Sequence, residues 1–112
     1  MSQRIKGVFL WRVEPVQEEE FVRRWRLDSD VIQTYPGARG TMLHRPADGS
    51  GIFVGYASWE SLEHRARAIA LKQVEHPDLD LPANSTASIS TLLHAAFVFE
   101  PDIFSTPPTQ GA

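Results

Sequence analysis

Cysteine is absent from this chain, asparagine occurs once, and no apolar run approaches the length of a membrane span. The missing cysteine excludes disulfides, thiolate metal sites and a cysteine nucleophile together. A membrane helix needs roughly 20 consecutive apolar residues, and none of the apolar runs here comes near that. There is also no excess of positive charge: 11 Lys and Arg stand against 14 Asp and Glu, for a net charge of -3. An acidic surface repels phosphate backbones, so the expected partners do not include nucleic acid. The N-terminus leads straight into a strand-like run with no small-residue cleavage site after it, which does not read as a signal peptide. The location expected from these features is the cytoplasm.

What is present is an ordinary globular balance. The 112 residues are 42% hydrophobic and 22% charged, enough for one domain with a modest core. The expected domain is residues 1–100, followed by a Pro/Gly/Thr-rich tail over 101–112.

Residues 5–13 (IKGVFLWRV) are rich in β-branched and aromatic side chains and read as a strand. Glu14-Pro15 ends it. A helix follows over about 17–34, with Glu18, Glu19 and Glu20 in the first turn, where the helix dipole favours negative charge. Arg23, Arg24 and Arg26 stand at pairing distance from them along the helix. Phe21, Trp25 and Ile32 form its apolar stripe. Tyr35-Pro36-Gly37 stops the helix. Residues 39–46 read as a second strand, 47–51 as a turn and 52–59 as a third strand. Ser58 or Ser61 caps a second helix from about Glu60 to Val74, which His76-Pro77 ends. Residues 77–91 have no clear period and read as a long loop. Residues 92–100 make a fourth strand. The order β-α-β-β-α-β points to an α+β, ferredoxin-like domain: a four-stranded antiparallel sheet with both helices on one face.

These strands lack the apolar/polar alternation of a half-exposed sheet. Ile5, Phe9, Trp11 and Val13 oppose Val8 and Leu10; Phe53, Ala57 and Trp59 oppose Ile52, Val54 and Tyr56; Leu93, Phe97 and Phe99 oppose Ala96 and Val98. Two helices cover one face only. The other would expose an apolar area on the order of several hundred Å², more than a soluble monomer usually shows. The expected cover is the same face of a second copy, giving a homodimer with room for a small-molecule ligand.

Three segments carry a family resemblance. Val8 to Pro15 followed by Gln17-Glu18-Glu19-Glu20-Phe21, then Tyr35 to Gly40 with Met42-Leu43-His44-Arg45, and then Phe53 to His64 with its strand-ending Trp59 together resemble the antibiotic-biosynthesis-monooxygenase family over about residues 5–70. The resemblance implies a dimeric α+β barrel. The family's characterised enzymes oxidise polycyclic aromatic substrates with dioxygen, often without metal, flavin or haem, so the resemblance implies a cofactor-independent monooxygenase for an aromatic or quinone-like small molecule. Many members carry a His nine residues after the strand-ending Trp, where this chain has Ala68. The haem-degrading branch uses a first-strand Asn, whereas the one asparagine here is Asn84. Both departures argue against haem degradation.

Oxygenation without a cofactor needs a base to form a substrate carbanion and a group to hold the developing oxyanion. His44 and His94, on strands among apolar neighbours, are the candidate catalytic bases. Trp11, Arg12, Met42 and Tyr56 are the candidate substrate-binding residues. Each also has a structural reading: edge histidine, core aromatic or solvated strand-end arginine. Glu60 and His64 share a helical spacing, but two ligands without a third are a weak metal signal, and an exposed ion pair is the expected arrangement. The alternatives to a monooxygenase are a non-catalytic binding or structural barrel and an isomerase-like activity on a small lactone.

Overall fold

A computed structural model describes residues 4–79 and 89–99. The first strand, β1 (Ile5–Val13), is followed by one 3₁₀ turn, Pro15–Gln17, and by α1 (Glu18–Ile32). The antiparallel pair β2 (Ala38–His44) and β3 (Ile52–Trp59) comes next, then α2 (Leu62–Glu75) and β4 (Ser90–Phe99). The sheet order is β2-β3-β1-β4, antiparallel throughout. This is the expected α+β, ferredoxin-like arrangement. The expected tail, 101–112, lies outside the described residues, as does most of the expected loop.

Several boundaries move for local reasons. Pro15 opens a 3₁₀ turn rather than the helix, so α1 begins at Glu18. The second helix begins at Leu62, because Ser61 is extended and its hydroxyl accepts the His64 N–H at 3.1 Å. Glu60 therefore precedes the helix, and the helical spacing expected for Glu60 and His64 does not apply. Instead Glu60 binds Arg39 at 2.7 Å, and His64 Nδ1 lies 2.8 Å from the Ser61 hydroxyl. The fourth strand starts at Ser90, so Ser90 and Thr91 belong to the sheet and not to the loop. In β4 an extra residue, Leu93, falls between the partners of Leu10 and Trp11. This bulge breaks the simple alternation read from the sequence.

Strand β1 alternates strictly. Ile5, Gly7, Phe9, Trp11 and Val13 are buried, while Lys6, Val8 and Leu10 are half-buried and Arg12 is exposed. The buried side faces the helices. Phe9, Trp11, Val13, Phe21, Trp25 and Phe53 form one cluster there, and Ile5, Ile32, Tyr35, Trp59 and Ala68 form another. Trp11 stacks on Phe9 with centroids 5.5 Å apart and meets Phe21 edge-on at 5.4 Å. Gly55 makes room for this core: a Cβ there would lie 2.7 Å from Trp11 Cζ3. No helix among the described residues is long and apolar enough to cross a membrane.

Candidate functional site

Strand register decides which candidate residues meet. Directly paired residues in an antiparallel sheet point to the same face. His44 pairs with Val54, Val54 with Leu10, and Leu10 with His94. Met42 pairs with Tyr56, Tyr56 with Val8, and Val8 with Ala96. These are two parallel rows across the sheet, both on the face away from the helices. Arg12 joins that face one pair further along, between Ile52 and Thr91. The fold thus gathers Arg12, Met42, His44, Tyr56 and His94 on one open face.

Trp11 is placed elsewhere. It lies on the helix face with no exposed surface, so the fold does not bring it together with the other five.

Within the open face the candidates form two groups. His44 meets the Tyr56 ring edge-on at 5.5 Å, with Met42 beside Tyr56 in the next strand. Lys6 adds a cation 5.5 Å from the centre of the same Tyr56 ring. His94 and Arg12 sit on the opposite side, on β4 and β1. Three strand spacings of ~4.8 Å separate His44 from His94, so the two imidazoles stand about 14 Å apart along their row. They cannot share one substrate atom within a single chain.

A cleft of about 290 Å³ opens at one margin of this face, lined by Lys6, Arg39, Gly40, Met42, Tyr56 and Ser58 among others. A bulge in β2 forms its wall. Three steps of β2 from Ala38 to Thr41 oppose two steps of β3 from Trp59 to Ala57. Gly40, at φ +110°, takes a backbone conformation that disfavours side chains, and its N–H donates to Gln33 Oε1 at 3.0 Å. Arg39 holds the neighbouring Glu60 carboxyl below its ordinary range through their hydrogen bond. A larger hollow, about 410 Å³, lies along α1 among Glu19, Val22, Arg23, Arg26, Asp30 and Arg45. It contains none of the sequence-predicted residues, and charges of both signs line it.

The sequence reading missed a polar group inside the helix-covered layer. Asp28 and Lys72 are 1% and 2% exposed, with carboxylate and ammonium 3.8 Å apart. Trp11 Nε1 and Trp25 Nε1 are buried donors with no acceptor among the described residues. The signal was available in the helix periods. Asp28 follows Trp25 by three and Phe21 by seven, on the inward stripe, and Lys72 follows the buried Ala68 by four.

The fold and this bare, ligand-sized face define a class: a ferredoxin-like α+β domain that carries its candidate chemistry on one side of its sheet. The chain belongs to the antibiotic biosynthesis monooxygenase family, whose model matches residues 5–68. No curated protein matches it. Among solved structures it is similar to a single-site variant of SnoaB, a cofactor-independent oxygenase from Streptomyces nogalater. That match has 18% identity and a TM-score of 0.68, and it covers 99% of this chain and 100% of that one. A conserved protein of unknown function from Bacteroides thetaiotaomicron is similar at 11% identity and a TM-score of 0.68, over 87% of this chain and 97% of that one. A conserved protein from Methanosarcina mazei follows at 13% identity and 0.62, over 86% and 89%. At these identities the likeness is one of fold.

Proposed function

We propose that the protein is a cofactor-independent monooxygenase acting on an aromatic or quinone-like small molecule, as a homodimer joined through the open sheet face. The observation that carries this reading is the gathering of Arg12, Met42, His44, Tyr56 and His94 on one largely apolar face beside a cleft. Membership of the monooxygenase family supports it.

In this reading His44 or His94 removes a proton from an activated C–H of the substrate. The carbanion adds to dioxygen and forms a C–O bond. The imidazolium returns its proton to give a hydroperoxide. Loss of the second C–H proton with departure of hydroxide leaves a carbonyl and water. One oxygen atom stays in the product and the other leaves as water. Tyr56 or Arg12 holds the enolate oxygen as charge develops there.

His44 and His94 are both exposed in the single chain, where water would compete for the carbanion. A second copy over Val8, Leu10 and Val54 would dry the face and supply the opposite wall.

The test is oxygen uptake with a panel of hydroquinones and anthrones. The expected result is uptake by the wild type that falls by at least about 100-fold in the His44→Ala/His94→Ala double variant, the scale of a lost general base. Uptake equal in the two proteins would remove the oxygenase reading. Ligand binding without uptake would favour the non-catalytic barrel, and turnover of a lactone without oxygen the isomerase. Light scattering at low micromolar concentration tests the dimer separately, and a clean monomer overturns that part.

A further inference from the structure

Lys6 is out of place on the open face. Its same-face neighbours further along β1, Val8 and Leu10, are apolar, as are Val54 and Met42 on the other strands. Yet Lys6 is half-buried, with its ammonium over the Tyr56 ring. Of the two cations that line the cleft, Arg39 is paired with Glu60, whereas Lys6 has no carboxylate partner among the described residues. Directly across from it on β3 stands Ser58, and Tyr56 is two residues further along the same side of that strand. Lys6, Ser58 and Tyr56 all line the 290 Å³ cleft that the Gly40 bulge walls. Arg39 and Thr41 also line it but are engaged by Glu60 and Ser29, so the Lys6 ammonium, the Ser58 and Tyr56 hydroxyls and the apolar side chain of Met42 are what converge on a cleft near the small end of the roughly 300–1,000 Å³ typical of ligand sites.

We infer that this cleft is an anion subsite: Lys6, with the Ser58 and Tyr56 hydroxyls, takes the carboxylate or phenolate of an aromatic ligand whose ring lies against Met42 and Tyr56. The inference rests on the reading that the ligand lies on the open face, and it names the ligand's class, an aromatic acid or phenolate rather than a neutral arene. The cation–π contact holds Lys6 over the floor of the cleft in the absence of ligand. A planar anion entering beside Tyr56 meets that ammonium as an ion pair, whereas the carbonyl of a neutral isostere can accept its hydrogen bond but gains no charge–charge attraction.

The experiment compares 2-naphthoate with 2-naphthamide, which has nearly the same shape and no charge, by calorimetric titration of the full chain. Wild type binds the acid at least about tenfold more tightly than the amide, the scale of one hydrogen bond to a charged group. Lys6→Met abolishes that preference, and Lys6→Arg keeps most of it. Thermal melts of both variants check that the fold is intact. Absence of naphthoate binding, equal binding of acid and amide by wild type, or a preference that survives Lys6→Met overturns the inference. These titrations need neither oxygen nor turnover, so a failure of the oxygenase reading and a failure of this subsite are read separately.

Discussion

Trp11 and Leu10 are neighbours in β1, yet they live in different solvents. Trp11 has no exposed surface and touches Phe9 and Phe21, while Leu10 stands half-buried on the bare face between Val54 and His94. The helix-covered face is aromatic and tightly filled, with Gly55 left bare of a side chain so that Trp11 can lie on it. The open face is apolar at its centre and carries cations, imidazoles and hydroxyls around its margins. One face holds the fold together, and the other is the one proposed to meet a ligand and a second copy. Substitutions on adjacent residues test that division.

The largest effect belongs to the covered face. Trp11→Ala is expected to cost ~3–5 kcal/mol of stability, the range for deleting a buried aromatic, read from urea unfolding. Leu10→Ala, one residue away, is expected to cost little in a dilute monomer and, under the proposed dimer, more as protein concentration rises, since the proposal has a second copy cover Leu10. Equal costs at all concentrations would erase the distinction between the faces.

The buried pair gives the next effect. Lys72→Met leaves Asp28 in the interior without its cation, and breaking such a pair typically costs about 3 kcal/mol or more. The double variant Asp28→Leu/Lys72→Met should recover most of that loss, since a buried ion pair repays little beyond its own desolvation. A double variant as unstable as the single one would mean that the pair organises the helices rather than merely neutralising itself. Gly55→Ala comes third, at about 1–3 kcal/mol, because its new Cβ would press on the rigid Trp11 ring.

The architecture was legible because period and punctuation agree. The β-branched and aromatic run of β1, the Tyr35-Pro36-Gly37 stop and the Ser61 cap all mark real boundaries. The two-sided apolar strands also announced an open face. The grouping of the candidates on it was not legible. Nothing local in the sequence says that His44 and His94 share a row, since that follows from three successive registers and from a bulge at Leu93. The same holds for Trp11. Its residue type fits a ligand-stacking role equally well, and only its parity with Phe9 and Val13 assigns it to the core. The Gly40 bulge was invisible for a related reason: a glycine in a strand-like run announces a kink but not the cleft beside it. Asp28 and Lys72 were passed over because charged residues on amphipathic helices are usually solvated, and these two sit on the inward stripe.

The smallest effect concerns the other side of α1 and sharpens the comparison by charge instead of size. Glu20 accepts hydrogen bonds from Arg23 and Arg24, each at 2.9 Å, and these hold its carboxyl at about 2, below an ordinary 4.5. Above about pH 5 the carboxylate is ionised in folded and unfolded chains alike, and the stabilisation is complete. As pH falls from 4.5 toward 2 the unfolded chain takes up the proton first, so the contribution drains away. The melting temperature of wild type should therefore exceed that of Glu20→Gln at pH 7, with the gap closing toward pH 2. These groups are solvent-exposed, so 1 M salt should close the same gap at pH 7. The Lys72→Met defect should persist in that salt, because the Asp28–Lys72 pair is shielded by the sheet and both helices. If salt rescues both variants equally, the interior pair is wetter than its burial implies. The covered face would then be less distinct from the open one than their packing indicates.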